Sequence, residues 1–275
     1  MGVEKFRFDG KRALVVGGAS GMGAAAAQLL LELGAEVIVA DVQAVDFPVA
    51  RSLTLDLREE ASIDAMLGAV GGPIDALFCC AGISDEVGTG LDVMKVNFIG
   101  QRHLIETAAA RGLLPGGSSV SVISSIAGFG WDRHLTRILD FLACKDFGTA
   151  VSWMEANPRF ANYVFSKQVF IAYCKREAPA MLRRGIRINA TGPAPTRTPL
   201  LARSASWATF ADGEFEAVMQ HPASTADQQA YPLVFLGSEA AEFISGQVLY
   251  VDAGYLGGSE SGAIESQVVS RLARP

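Results

Sequence analysis

What the chain lacks narrows its chemistry first. Three histidines, His103, His134 and His221, are scattered, and four cysteines, Cys79, Cys80, Cys144 and Cys174, show no paired spacing. No metal site is expected, because zinc and similar ions need clustered His, Cys or carboxylate donors. The thiols read as reduced and mostly buried, as in a cytoplasmic protein. Basic residues are few: 23 Lys and Arg face 29 Asp and Glu, a net charge of −6. That balance argues against nucleic acid as a partner, since phosphate contacts need clustered cations. Apolar runs such as 24–31 stop well short of the roughly 20 residues that span a bilayer. The opening "MGVEKFRFDGKRAL" has no basic-then-apolar leader layout, and Phe6 stands where a myristoylation signal wants Ser or Thr. A cytoplasmic location, with no membrane partner, is expected.

What is present is a globular composition, half hydrophobic and only 19% charged, without repeats or low-complexity segments. Short apolar runs alternate with longer segments of helical period. "ALVVG" (13–17), "EVIVAD" (36–41), "SLTLD" (52–56), "IDALFCCAG" (74–82), "SSVSVISS" (118–125), "GIRINATGP" (185–193) and "GQVLYVD" (246–252) read as strands. Helices are expected over about 21–33, 59–70, 96–111, 163–183 and 226–236. Strands that are apolar throughout and separated by helices need crossover connections and a sheet covered on both sides. The expected fold class is α/β: one domain, residues 1–255, with a doubly wound parallel sheet and helices on both faces. Residues 256–275 carry little pattern and read as a C-terminal tail that packs on a partner or stays loose.

"GGASGMG" (17–23) sits where the first strand turns into the first helix. Glycines there let the backbone turn sharply and approach a pyrophosphate, while the helix N-terminus offers free N–H groups and partial positive charge. Asp41 closes the second strand 18 residues after Gly23, near the spacing at which a carboxylate binds an adenosine ribose. This is a Rossmann-like arrangement. No Lys or Arg lies in the glycine loop or between Ala35 and Phe47. A 2′-phosphate would meet a carboxylate without a counter-charge, so the expected cofactor is NAD and not NADP.

"YVFSK" (163–167) sets a tyrosine and a lysine four residues apart, on one face of a helix. With "VNFIG" (Asn97), "ISS" (Ser125) and the glycine loop in this order, the chain resembles the short-chain dehydrogenase/reductase family over about residues 10–255. The resemblance implies a catalytic Asn97, Ser125, Tyr163 and Lys167. Tyr163 would act as general acid or base, and Lys167 would lower its pKa and hold the cofactor's ribose hydroxyls. Ser125, in preference to Ser124, would bind the substrate oxygen. Asn97 would anchor a water beside Lys167, or else merely cap a helix. The implied cofactor cradle comprises Gly17, Ser20, Gly21, Met22, Gly23, Asp41, Asp56, Leu57, Ala81, Gly82, Pro193, Thr196 and Thr198, with Tyr163 and Lys167. The chain departs from the family pattern at Val16, at Cys79 and Cys80 in "CCAG", at Ala194 and at Ala253.

Ser125 and Tyr163 stand 38 residues apart, more than the family usually allows. Residues 126–162 are expected to form a helical insertion between the fifth strand and the tyrosine helix. Leu135, Ile138, Leu139 and Leu142 recur there at helical period, beside Trp131 and Trp153. A similar insertion resembles the bacterial 3α-hydroxysteroid dehydrogenase/carbonyl reductase branch. Two roles are open for it, lining the substrate pocket or altering a subunit contact, and the second is favoured. Residues 194–225 are the expected substrate lid, offering Leu200, Leu201, Trp207, Phe210, Phe215, Val218 and Met219 either to a ligand or to the core. The expected activity is NAD-dependent interconversion of a hydrophobic secondary alcohol, a hydroxysteroid or other cyclic molecule, and its ketone. The oligomer implied is a homodimer or homotetramer. Small aromatic or alicyclic substrates are an alternative, and so is a catalytically silent NAD-binding sensor protein.

Overall fold

In the computed structural model, which describes residues 2–272, the apolar runs become strands and the periodic segments between them become helices. The first half runs β1 (Arg12–Val16), α1 (Gly21–Glu32), β2 (Glu36–Asp41), β3 (Arg51–Thr54), α2 (Glu60–Ala69) and β4 (Ala76–Cys79). Then come α3 (Gly90–Met94), a π-helical turn (Lys95–Ile99), α4 (Gly100–Ala110) and β5 (Ser119–Ile123). Two helices, α5 (Leu135–Leu142) and α6 (Phe147–Ala156), precede the long α7 (Tyr163–Leu182) and β6 (Arg187–Pro193). Within residues 194–225 lie β7 (Thr196–Arg197), α8 (Pro199–Ala202), α9 (Ala205–Phe210), α10 (Glu216–Met219) and β8 (Ser224–Thr225). Last are α11 (Ala226–Gly237), β9 (Val248–Val251), α12 (Tyr255–Glu260) and α13 (Gln267–Leu272).

Seven strands pair in parallel in the order β3-β2-β1-β4-β5-β6-β9. The order reverses between β1 and β4, and a crevice opens beyond their carboxyl ends at that switch point. Side chains alternate across the sheet. Leu14 and Val16 of β1 join one core with α2, α4 and α7, while Ala13 and Val15 join another with α1 and α11. The fold is therefore the expected doubly wound α/β sheet with helices on both faces. Among the described residues no helix is long and apolar enough to cross a membrane.

Local chemistry fixes where helices begin. Asn162 Oδ1 accepts from the Phe165 amide at 2.9 Å and starts α7, which puts Tyr163 and Lys167 in its first turns. Capping boxes open α3 (Thr89/Asp92), α6 (Asp146/Thr149) and α11 (Thr225/Gln228). At the far end of α11, the buried Arg187 guanidinium donates to the Leu236 and Ser238 carbonyls at 2.8 and 2.9 Å. Those carbonyls have no partner within the helix, so the cation closes its C-terminus.

The structure departs from the sequence reading in three places. The helix expected from residue 96 starts at Gly90 and passes through the π-turn that carries Asn97. In α5 the buried face is Ile138, Phe141 and Leu142, whereas Leu135 and Leu139 are 37% and 36% exposed. Phe141 wins the inward position because it meets Phe98, Phe165 and Trp153 at ring distances of 5.0 to 6.1 Å. As far as Leu272, the terminal stretch packs on its own chain: Leu256, Val269 and Leu272 are buried, and with Tyr255 just before them α12 and α13 pack on residues 194–225. A carboxylate holds the two together, since Glu214 accepts from the Tyr255 and Ser266 hydroxyls at 2.7 Å each.

Candidate active site

The crevice at the switch point is a cleft of about 430 Å³, within the range of small-molecule sites. Gly17, Ser20, Gly21, Met22, Gly23, Asp41, Asp56, Leu57, Ala81, Gly82, Ser125, Tyr163, Lys167, Pro193, Thr196 and Thr198 all line it. Asn97 does not. Its side chain is fully buried, accepting from the Ile83 amide at 2.8 Å and donating to the Ile83 carbonyl and Ser166 hydroxyl at 3.0 and 3.1 Å. Asn97 thus neither reaches the cleft with its amide nor caps a helix; it fixes the chain at Ile83. A Cβ added at Gly82 would sit 3.5 Å from Asn97 Oδ1 and 3.7 Å from Lys167 Nζ, so the glycine keeps the gap between them open.

At one end of the cleft the glycine loop is packed as tightly as a backbone allows. Gly17 has φ +77°, and a Cβ there would collide with the Ala81 backbone. Ser20 at the start of α1 makes no side-chain cap bond, which leaves the first amides of a 12-residue helix unspent at the cleft. Asp41 accepts from the Ala19 amide at 3.0 Å and the Gln43 amide at 2.9 Å, tying the loop to the end of β2. These features fit a dinucleotide: a close backbone, a helix terminus for a pyrophosphate and a carboxylate for ribose hydroxyls. Sequence reasoning missed one residue here. Arg58 also lines the cleft, and its guanidinium grips Asp56 at 2.6 Å, holding that carboxyl below the usual range. The pair is a local i, i+2 turn contact, visible in "DLR" only once the turn is known. Thr196 spends its hydroxyl on the Ala194 carbonyl at 2.8 Å.

At the other end Ser125, Tyr163 and Lys167 come together. Ser124 also lines the cleft, but its hydroxyl is spent on the Lys167 carbonyl, to which it donates at 3.0 Å. Ser125 instead hydrogen-bonds the Tyr163 side chain. Lys167 Nζ donates to the Ile123 carbonyl at 3.0 Å and lies 5.5 Å from the Tyr163 ring centre. The expected lowering of the phenol is not found in this pocket. Burial pushes Tyr163 up to about 12; the Ser125 bond pulls it down, and the nearby Asp85 charge pushes it up further. Burial likewise draws Lys167 down to about 8, with the nearby Cys80 acting the other way. Cys80, one of the departures from the family pattern, lines the cleft with its thiol pushed up to about 12 by burial, an apolar wall and no nucleophile.

Residues 194–225 divide between the cleft and the core. Leu200, Leu201 and Trp207 line the cleft, and the Trp207 ring lies 5.7 Å from that of Tyr163. Phe210 and Phe215 are buried against Tyr255, with Val218 and Met219 packed beside them. Of the 126–162 insertion only Ile126, at its start, lines the cleft; Ile138, Phe141, Phe147 and Met154 bury the rest against the core. Among the described residues no group of three His, Cys, Asp or Glu is placed to hold a metal.

Comparison with known proteins agrees with this geometry. A family model described as enoyl-(acyl carrier protein) reductase matches residues 149–256, and one for the NAD-dependent epimerase/dehydratase family matches residues 13–141. Cis-4-hydroxycyclohexanecarboxylate dehydrogenase of Sinomonas cyclohexanicum is 30% identical over 90% of this chain and 97% of its own length. Coniferyl-alcohol dehydrogenase of a Pseudomonas species is 28% identical over 89% of this chain and 96% of its own. The crystal structure of a Pseudomonas 3α-hydroxysteroid dehydrogenase complexed with NADH superposes with a TM-score of 0.75 at 26% identity, covering 92% of this chain and 99% of that one. The similarity covers about nine-tenths of the chain, and this chain belongs to the short-chain dehydrogenase/reductase family.

Proposed function

We propose that the protein is an NAD-dependent dehydrogenase that interconverts a hydrophobic secondary alcohol and its ketone. The observation that carries this reading is the convergence of Ser125, Tyr163 and Lys167 in the same cleft as the glycine loop and Asp41. NAD, when bound, supplies the hydride acceptor. Ser125 orients the substrate oxygen against the Tyr163 hydroxyl. Tyr163 is protonated at neutral pH, ready to donate to a ketone; in the reverse direction it takes the alcohol proton. Lys167, still mostly cationic at pH 7, offers its ammonium to ribose hydroxyls and to the phenolate as it forms. Asp41 favours NAD because a 2′-phosphate there would face a carboxylate, and Arg58, the arginine that lines the cleft, is already paired with Asp56.

The substrate end supports an alcohol built on a ring. Trp207 stands beside the reactive phenol, flanked by Leu200 and Leu201, and a flat apolar wall suits a ring face. This favours alicyclic or aromatic alcohols as much as steroids, in keeping with what the relatives' names say they act on. The test is a panel of steroid, alicyclic and benzylic alcohols with NAD or NADP, read as absorbance at 340 nm. Turnover with NAD on at least one cyclic alcohol, and much less with NADP, is expected. Binding of NAD without turnover of any of them would favour a sensor.

A further inference from the structure

The turn that follows β4 ties the tyrosine helix to the lid segment, and three consecutive residues do it. The Ser84 hydroxyl, buried, meets that of Ser204 at 2.7 Å. Asp85 accepts from the Tyr163 amide at 2.9 Å. Glu86 accepts from the Ala205 and Ser206 amides at 2.6 and 3.1 Å, and from the Ser206 hydroxyl at 2.7 Å.

These bonds have a mechanical consequence. The helix α9 has six residues, and its N-cap, Ser204, makes no cap bond of its own. So short a helix is not stable by itself. Glu86, reaching across from another part of the chain, serves as its cap. The next residue after those that Glu86 grips is Trp207, whose ring stands over Tyr163. Ser84 and Glu86 therefore set the height of the substrate wall, and Asp85 sets the tyrosine beneath it. Glu86 is exposed, so water competes for its bonds and the grip can open to admit a ligand.

We propose that Ser84, Asp85 and Glu86 form a latch that registers the lid against Tyr163, with Glu86 the positioning residue that determines how tightly a ring-shaped alcohol is held. This rests on the proposed function, because the ligand under the lid is the alcohol. Without the latch, substrate must order α9 on binding, so affinity for the alcohol falls while the chemical step and the distant glycine loop keep their geometry.

The experiment compares the full-length chain with Glu86→Ala and Glu86→Gln. Hydrogen exchange at the 205 and 206 amides is measured on the protein alone, then KM and kcat for the best cyclic alcohol of the panel, and Kd for NAD. Glu86→Ala is expected to speed exchange and raise the alcohol KM by about tenfold each, with kcat and the NAD Kd nearly unchanged. Glu86→Gln, which keeps an acceptor, recovers most of both. Faster exchange with an unchanged KM would overturn the proposal, as would unchanged exchange, or a parallel loss of kcat and NAD affinity. Exchange is read without substrate, so a failed latch and a failed alcohol assignment are separable.

Discussion

Lys167 Nζ points past Tyr163 to the Ile123 carbonyl, bonding it at 3.0 Å while standing 5.5 Å from the tyrosine ring. The lysine is thus positioned by the end of β5, and its charge is suppressed by the same burial that keeps the phenol protonated. Before ligands enter, the site holds a protonated phenol beside a lysine that is easier to deprotonate than usual yet still mostly cationic at pH 7. That state has measurable consequences.

Oxidation needs the phenolate and reduction needs the phenol, so the two directions should respond to pH with opposite signs. The oxidation rate is expected to climb through the alkaline range, and the reduction rate to fall there. The Asp85 charge raises the Tyr163 pKa, and removing it stabilises the phenolate. In Asp85→Asn the rising limb of the oxidation profile should move to lower pH. A limb that stays in place would remove Asp85 from the electrostatics of the site.

Burying Lys167 costs stability. Its folded pKa, about 8, lies below the ordinary 10.5, which corresponds to a native-state cost of about 3 kcal/mol below pH 8. The cost fades as pH rises from 8 to 10.5, where the unfolded lysine also loses its proton. Lys167→Met should therefore be inactive yet melt higher than the wild type at pH 7, by a few degrees after the loss of the Ile123 hydrogen bond is subtracted. The difference should shrink by pH 10.5. Thermal melts across that range check it.

Ala253 adopts φ +55°, left-handed backbone in which a Cβ is strained. Glycine relieves that strain but frees the unfolded chain, so Ala253→Gly should gain about 0.5–1 kcal/mol. Denaturant midpoints with an unchanged slope would show it.

Tyr255 is fully buried with its hydroxyl on Glu214. Tyr255→Phe leaves that carboxylate one donor short and should cost about 1–3 kcal/mol. If α12 and α13 brace the lid segment, the same variant also weakens alcohol binding more than NAD binding. Calorimetric titration of each ligand separates the two.

The sheet was legible because buried parallel strands are written as unbroken apolar runs: "EVIVAD" became β2 residue for residue. The cleft was legible because its glycines and Asp41 answer to backbone geometry, which spacing encodes. The rest depended on contacts between distant segments. No local pattern marks Glu86 as the cap of a helix 119 residues away, or Tyr255 as a brace for Glu214. Period alone cannot rank Leu139 against Phe141 on α5; the aromatic cluster around Phe98 and Trp153 decides it. The phenol's pKa depends on burial and on Asp85, which both raise it, and neither can be seen in the Tyr163–Lys167 spacing.

The most direct test of the central claim is Tyr163→Phe, which deletes one oxygen and leaves the ring against Trp207. NAD should bind with a Kd close to that of the wild type, while alcohol oxidation at 340 nm falls by at least about a thousandfold. Turnover within tenfold of the wild type would contradict the account, since proton transfer would then run through some other group.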